Sequence, residues 1–149
     1  MKKGNFVNLT NARPGVYEKV IKKIKESSIC PFCPEHIKNI HKNPINEKKY
    51  WLVTDNMYPY KSTKKHLLII HKKHIEHFND LTEEACIELF NIIRDENKKF
   101  NIEGGTFLMR FGNSKYTGAS VSHLHCNLLQ SDPDHPEYEK DKGVMTRIG

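Results

Sequence analysis

The sequence predicts an α+β domain with a largely antiparallel sheet. Two observations support this class: patterns typical of helices and strands follow one another in the order helix, strand, strand, helix, strand, strand, and no internal repeat interrupts them. With 149 residues, the chain is long enough to bury a core without disulfides. We therefore expect one domain over residues 1–149, with its core in about residues 14–130 and a polar tail over residues 131–149.

The first predicted helix follows Pro14 and Gly15 and extends to about Ser27. Charged residues fill most positions between its apolar residues. The apolar residues recur with helical spacing: Tyr17, Val20, Ile21 and Ile24. Prolines beyond Ser27 prevent its continuation, and a short helical turn is predicted over residues 35–40.

A longer helix is predicted to begin after residue 80. Asp80 or Thr82 can cap it, and acidic residues occupy its first turn. Its apolar positions form one stripe that should pack on the sheet, with Cys86 as a core residue: Ala85, Cys86, Leu89, Phe90, Ile92, Ile93 and Phe100.

Four segments have the composition of strands. Residues 50–54 are aromatic and β-branched, and residues 66–71 are apolar on both faces, which indicates a central strand. Residues 106–111 alternate into a third strand, and the fourth carries two histidines near residue 125. A short terminal strand is also predicted over residues 144–148.

His123, His125 and Asn127 alternate with apolar residues on the fourth strand. Because successive strand side chains face opposite sides of a sheet, these polar residues should line a pocket while the residues between them face the core. A single histidine on a strand is usually structural. Two histidines and an amide in strict alternation favour a functional site.

The charge of the chain favours anionic partners without selecting one. The formal net charge is +6, from 24 basic and 18 acidic residues, and most of the basic residues are lysines. Nucleic-acid modules tend to concentrate arginine, whereas the arginines here lie far apart in sequence: Arg13, Arg94, Arg110 and Arg147. We therefore expect a solvated lysine surface and no nucleic-acid partner.

Composition also predicts a cytoplasmic protein with no membrane partner. The four cysteines are too few and too uneven for a secreted disulfide scaffold, and no apolar run approaches the roughly 18 residues of a membrane span. The first residues do not lead into the apolar stretch of a signal peptide.

Cys30 and Cys33 have the spacing of a metal knuckle or a redox pair. A redox pair would open a long helix, which Pro34 interrupts, so zinc is the favoured interpretation. Two thiols supply only two of the four ligands of a tetrahedral zinc site. The alternative to a zinc site is that the two thiols bind no metal. His36 or His41 can complete the site locally, so spacing alone does not select the remaining ligands.

Several ordered motifs resemble the histidine triad family of nucleotidyl hydrolases and transferases. That family carries His-x-His-x-His followed by two apolar residues, and residues 123–129 are His-Leu-His-Cys-Asn-Leu-Leu. Upstream, Asn113 and the Gly-Ala-Ser stretch over residues 118–120 fit the Asn and Gly-x-Ser element of the family.

An earlier segment extends the resemblance. His66 opens an apolar strand that leads to Lys72-Lys73-His74, and Pro59-Tyr60 fits the preceding turn. Lys65 departs from the pattern, because the family usually has glycine there. The match covers about residues 30–130.

The resemblance implies a five-stranded, mainly antiparallel sheet with packed helices, usually paired as a homodimer. It also implies that His125 is the nucleophile that attacks the α-phosphate of a nucleotide, a reaction for which a neutral imidazole is suited near pH 7. Ser120 matches a residue that bonds the phosphate or leaving group. The implied substrate contacts are Asn113, His66 and either Asp55 or Asn56.

Many bacterial members and the related hexose-phosphate uridylyltransferases carry a zinc site. Transferred to this sequence, its ligands are Cys30, Cys33, His74 and His123. Four protein ligands leave no open position for water, so the resemblance implies a structural zinc.

Asn127 departs from the family pattern at the third histidine position. An amide can donate a hydrogen bond to phosphate but cannot act as a general acid. Family branches with glutamine there are typically transferases. We therefore expect an enzyme, a nucleotidyl transferase or phosphorylase that acts on a nucleoside phosphate or dinucleoside polyphosphate through a nucleotidyl-histidine. The alternatives are a hydrolase or phosphoramidase, a catalytically weak nucleotide-binding protein, and, last, a zinc-containing nucleic-acid binder.

Overall fold

The computed structural model of the chain describes residues 6–148, and a five-stranded antiparallel sheet lies at its centre. The strands are β1 (Ile45–Glu47), β2 (Trp51–Asp55), β3 (Thr63–His71), β4 (Thr106–Arg110) and β5 (His125–Ser131), and they lie in the order β1-β2-β3-β5-β4. The helices are α1 (Val16–Ser27), α2 (Pro34–Ile40), α3 (Glu83–Lys99) and α4 (Ser114–Thr117). The predicted α+β class with an antiparallel sheet is confirmed.

Helices cover both faces of the sheet. On one face α3 packs against Leu67 and Ile69 of β3, and the Trp51 indole donates a 2.8 Å hydrogen bond to the Ala85 carbonyl. On the other face α2 packs against Leu68 and Ile70. Because β3 is apolar on both faces and pairs on both edges, it occupies the centre of the sheet, as predicted.

Two predictions are corrected, and a third, which left two caps open, is resolved. Residues 144–148 do not form a strand; this segment instead contacts the Arg110 side chain. Thr82, and not Asp80, caps α3 by accepting a hydrogen bond from the Ala85 amide. On α3, Phe90 is exposed and Cys86 is only half-buried, so the core stripe of this helix is narrower than predicted.

Two further features were not predicted from the sequence pattern. β1 is a three-residue edge strand with exposed polar residues, too short to produce a hydrophobic alternation. Residues near the N-terminus also pack into the fold, since Val7 forms a β-bridge with Val121 and both are buried. Within residues 6–148, no helix is long and apolar enough to cross a membrane.

Candidate functional site

A cavity lies between α1 and the sheet face that carries the alternating polar residues. It encloses about 950 Å³ of empty space, including its mouth. Its apolar lining comes from α1, the loop before α2, and β3, and its polar lining includes His125, Asn127, Ser120 and Asn56. A concave, largely apolar lining with a few polar groups is typical of small-molecule sites.

His125 has one ring nitrogen fixed and the other free. Its Nδ1 lies 2.7 Å from the carbonyl oxygen of His123, so Nδ1 carries the proton and donates it to that carbonyl. Burial, with the nearby Arg110 guanidinium, lowers the pKa of His125 to about 4. The imidazole is therefore neutral near pH 7, with an unprotonated Nε2 available as a nucleophile.

Asn127 is oriented by His66. The Tyr60 backbone amide donates to Nδ1 of His66, so the proton of this ring is on Nε2, which lies 2.9 Å from Asn127 Oδ1. Burial lowers the pKa of His66 to about 4 and keeps this ring neutral. With its oxygen engaged by His66, Asn127 has its amide N–H groups left as donors.

Ser120 forms a pair with a tyrosine of α1. The Ser120 and Tyr17 hydroxyl oxygens are 2.6 Å apart, and burial raises the pKa of Tyr17. Tyr17 therefore keeps its proton and can donate to Ser120, which leaves the Ser120 hydroxyl hydrogen free for another acceptor.

Of the four predicted nucleotide contacts, His66, Asp55 and Asn113 are not among the residues that line the cavity, and only Asn56 is. Its side-chain nitrogen lies 3.1 Å from His66 Nε2, and its oxygen accepts a hydrogen bond from the Tyr58 amide. The exposed Asp55 carboxylate instead pairs with Lys65 at 2.6 Å. Asn113 is exposed and caps α4 by accepting a hydrogen bond from the Lys115 amide.

A cluster of four potential metal ligands lies beside the cavity. Cys30 and Cys33 come from the loop before α2, His74 follows β3, and His123 precedes β5. Nδ1 of His123 lies 3.3 Å from the sulfur of Cys30, 3.8 Å from that of Cys33 and 3.1 Å from Nδ1 of His74. Four ligands around one zinc at ordinary bond lengths are separated by about 3.3–3.8 Å, so the donor set fits a tetrahedral ion.

The outer nitrogens of the two histidines in this cluster also have partners. His123 Nε2 donates to the His71 carbonyl at 2.6 Å, which leaves its Nδ1 lone pair directed at the sulfurs. His74 Nε2 lies 3.5 Å from a Glu76 carboxylate oxygen. Such second partners fix the orientation of metal-binding imidazoles. The local alternatives are not in this cluster: His41 lines the cavity, and His36 lies near Glu35.

Sequence reasoning missed the arginines of the cavity. Arg13, Arg110 and Arg147, although far apart in sequence, all line it. Only Arg110 had a sequence signal, because it lies within the strand predicted over residues 106–111. In the structure that strand pairs with β5, and Arg110 lies opposite His125. Arg13 lies between a short 3-10 helix and α1, and Arg147 lies in the C-terminal segment.

Comparisons with known proteins agree with this architecture. A family model described as the HIT domain matches residues 37–134. A structure described as a HIT family hydrolase from Legionella pneumophila Philadelphia 1 is 30% identical, with a TM-score of 0.50, over 68% of this chain and 91% of that chain. A structure described as a Hit Like Protein is 28% identical, with a TM-score of 0.54, over 64% of this chain and 93% of that chain.

A third structure supports the fold alone. It is described as a Zn-bound histidine triad family protein from Mycobacterium smegmatis, and it is 16% identical, with a TM-score of 0.54, over 76% of this chain and 82% of that chain. No curated protein matches the sequence.

Proposed function

The chain belongs to the histidine triad family, and from this membership we propose that it is a nucleotidyl transferase or phosphorylase acting on a nucleoside phosphate or dinucleoside polyphosphate. One observation carries the proposal: the His123 carbonyl holds the proton of His125 on Nδ1, which leaves Nε2 as an unprotonated nucleophile at the cavity.

In the first step, His125 Nε2 attacks the α-phosphorus of the nucleotide. A nitrogen–phosphorus bond forms, the bond from phosphorus to the leaving-group oxygen breaks, and that oxygen keeps the electron pair. The imidazole becomes a cationic nucleotidyl-histidine, which the His123 carbonyl stabilises through the Nδ1 hydrogen bond. The Ser120 hydroxyl and the Asn127 amide are the proposed hydrogen-bond donors to the phosphate oxygens.

In the second step, an acceptor oxygen attacks the same phosphorus and the electron pair returns to Nε2. Asn127 does not titrate, so it cannot remove a proton from water or supply one to a poor leaving group. An inorganic phosphate acceptor already carries a negative oxygen and requires no base. The amide at this position therefore favours transfer to phosphate over hydrolysis.

A direct test compares products formed with and without inorganic phosphate. With diadenosine tetraphosphate, transfer to phosphate gives ADP and ATP, whereas hydrolysis gives AMP and ATP. We expect phosphate to raise the rate and ADP to be the main second product, with no turnover by the His125→Ala control. If phosphate changes neither rate nor products, the phosphorylase proposal is wrong.

A hydrolase is the second candidate, and the Legionella structure favours it. That protein is described as a HIT family hydrolase and shares 30% identity with this chain. The phosphate experiment separates the two candidates, because a hydrolase forms AMP at a rate that does not depend on phosphate.

We also propose that Cys30, Cys33, His74 and His123 bind a structural zinc ion. Their separations support a four-coordinate site, and a set of four protein ligands leaves no position for a reacting water. When bound, the ion supplies a cross-link between the loop before α2 and the residues that precede β5. That cross-link would hold Phe32, whose ring lies 5.0 Å from that of His125, against the nucleophile.

A homodimer is the proposed assembly. β4 is an edge strand of the sheet, and its exposed Phe107 packs against the exposed Phe90 of α3 with ring centroids 5.9 Å apart. A second copy that pairs along β4 would cover both rings. Sedimentation should show a dimer that Phe107→Asp dissociates; an unchanged mass for this variant would contradict this interface.

A further inference from the structure

Three of the four arginines in the chain line the cavity that contains His125, although they lie 97 and 37 residues apart in sequence, at positions 13, 110 and 147. Arg13 and Arg110 are half-buried and Arg147 is exposed. Within residues 6–148, none of the three forms an ion pair, and no carboxylate residue is among those that line the cavity. The cavity therefore concentrates positive charge without a protein counter-charge.

Neutral groups hold these guanidinium groups in place. Arg13 donates to the Tyr58 and Pro59 carbonyls and lies over the Tyr60 ring, 4.9 Å from its centroid. Arg110 donates to the hydroxyl of the same Tyr60 at 3.3 Å. Tyr60 thus brings two arginines to one place, and the carbonyls and the ring orient the charges without neutralising them.

Arg110 is positioned by the C-terminal segment. Its Nη2 donates to the Thr146 hydroxyl at 2.7 Å and to the Arg147 carbonyl at 2.6 Å. Gly118 allows this approach, because a Cβ there would lie 3.0 Å from the Arg147 carbonyl oxygen. The Nε of Arg110 is buried and has no hydrogen-bond partner among the described residues. A buried donor without a partner on a cationic group favours an anionic ligand.

We infer that Arg13, Arg110 and Arg147 form a leaving-group site that selects nucleotides whose leaving group is a chain of phosphates. The inference rests on the proposed function and names its substrate class. Arg110 lies opposite His125 in the β4–β5 pairing and both residues line the cavity, so Arg110 is a neighbour of the nucleophile at the site where phosphates beyond the one attacked would lie.

The chemistry of Asn127 supports the same substrate class. When the α-phosphorus–oxygen bond breaks, the departing oxygen keeps the electron pair, and Asn127 cannot protonate it. A departing phosphate chain is stable as an anion, and arginines stabilise the charge that develops on it. A substrate that leaves as an amine would require the proton that this site does not supply.

The test compares two leaving groups on the same nucleoside monophosphate. The leaving group of a dinucleoside tetraphosphate is a chain of phosphates. The leaving group of a p-nitrophenyl ester is a phenolate, which carries no phosphate. We expect Arg110→Gln to lower kcat/KM for the tetraphosphate by about 30-fold and for the ester by less than about threefold, the loss typical of a charge-assisted hydrogen bond. Arg94→Gln is the matched control, because Arg94 is on α3 and pairs with Asp95; it should change neither rate.

A binding measurement separates this inference from the proposed function. Inorganic tripolyphosphate should bind the wild type and His125→Ala alike, and Arg110→Gln should weaken that binding by about 30-fold. If tripolyphosphate binds in this arginine-dependent way but no nucleotide is turned over, the anion site stands and the proposed function fails. If Arg110→Gln slows both substrates equally, Arg110 serves the α-phosphate and the leaving-group inference is overturned.

The folding of Arg110→Gln is checked by circular dichroism, and Arg110→Lys is a second variant that keeps the charge. If Arg110→Gln does not fold, the question is decided by measuring how ionic strength affects the wild-type protein. Rising ionic strength should weaken tripolyphosphate binding and lower kcat/KM for the tetraphosphate more than for the ester. Equal effects on both substrates would overturn the inference.

Discussion

His123 and His125 lie two residues apart, and their imidazoles are held in opposite ways. His123 donates from Nε2 to the His71 carbonyl and directs Nδ1 at the sulfurs of Cys30 and Cys33. His125 donates from Nδ1 to the His123 carbonyl and leaves Nε2 free. Burial lowers the pKa of both histidines to about 4.

The difference between the two residues therefore does not come from their pKa values. Both rings are neutral near pH 7, and each has one nitrogen bound to a backbone carbonyl. The two rings differ in the nitrogen that remains: Nδ1 of His123 faces three other candidate ligand atoms, whereas Nε2 of His125 has no such partners among residues 6–148. Backbone carbonyls thus suit His123 to the proposed metal-ligand role and His125 to the proposed nucleophile role.

The largest expected effect comes from removing the nucleophile. His125→Ala should lower kcat/KM for a nucleotide substrate by at least about 1000-fold, because the covalent route is lost. Its metal content and thermal stability should remain close to those of the wild type. Activity within tenfold of the wild type would contradict the role assigned to His125.

The converse variant tests the other histidine. His123→Ala removes a proposed zinc ligand and should reduce zinc content from about one per chain to near zero. We expect its melting temperature to fall by about 10 °C, equivalent to about 3 kcal/mol. Mass spectrometry of bound metal and thermal unfolding measure these effects, with His125→Ala as the matched control. Full zinc content in His123→Ala would contradict the ligand role proposed for His123.

A smaller effect is expected at the third position of the motif. Asn127→His restores a titratable group and should raise hydrolysis relative to phosphate transfer by about tenfold. Asn127→Gln keeps the amide and should retain transfer. The ratio of AMP to ADP formed from diadenosine tetraphosphate gives the result; an equal ratio in both variants would show that the amide does not control the acceptor.

The smallest expected effect is in the pH profile. Protonation of Nε2 blocks attack, so kcat/KM should fall as pH falls through the pKa of His125, which is about 4. In an assay run between about pH 5.5 and 8, we expect kcat/KM to change by less than about twofold. A midpoint near the ordinary histidine pKa of about 6.5 would show that His125 is not held neutral by burial.

Local sequence patterns predicted most of the fold. Alternation and apolar runs located β2 to β5, and helical spacing located α1 and α3, because these signals arise from neighbouring residues. β1 was missed because a three-residue edge strand with two polar residues produces no such pattern. The segment over residues 144–148 was predicted incorrectly because its position depends on Arg110, a contact across 36 residues.

The candidate site was predictable only within the family motif, and incompletely there, because Arg110 was missed and Asp55 and Asn113 do not line the cavity. The four candidate metal ligands and the pair His125 and Asn127 lie within the motif, and the structure brings each group together. Arg13 and Arg147 lie outside it, in segments whose paths are set by tertiary contacts. No pattern in sequence indicates that two such residues meet at one cavity.

Trapping the covalent intermediate tests the central claim most directly. Wild-type protein mixed briefly with a nucleotide substrate and quenched in alkali should gain the mass of one nucleotidyl group. Peptide mapping should place that group on His125, and His125→Ala should gain none. A nucleotidyl group on another residue, or efficient turnover with no adduct at any quench time, would contradict the account.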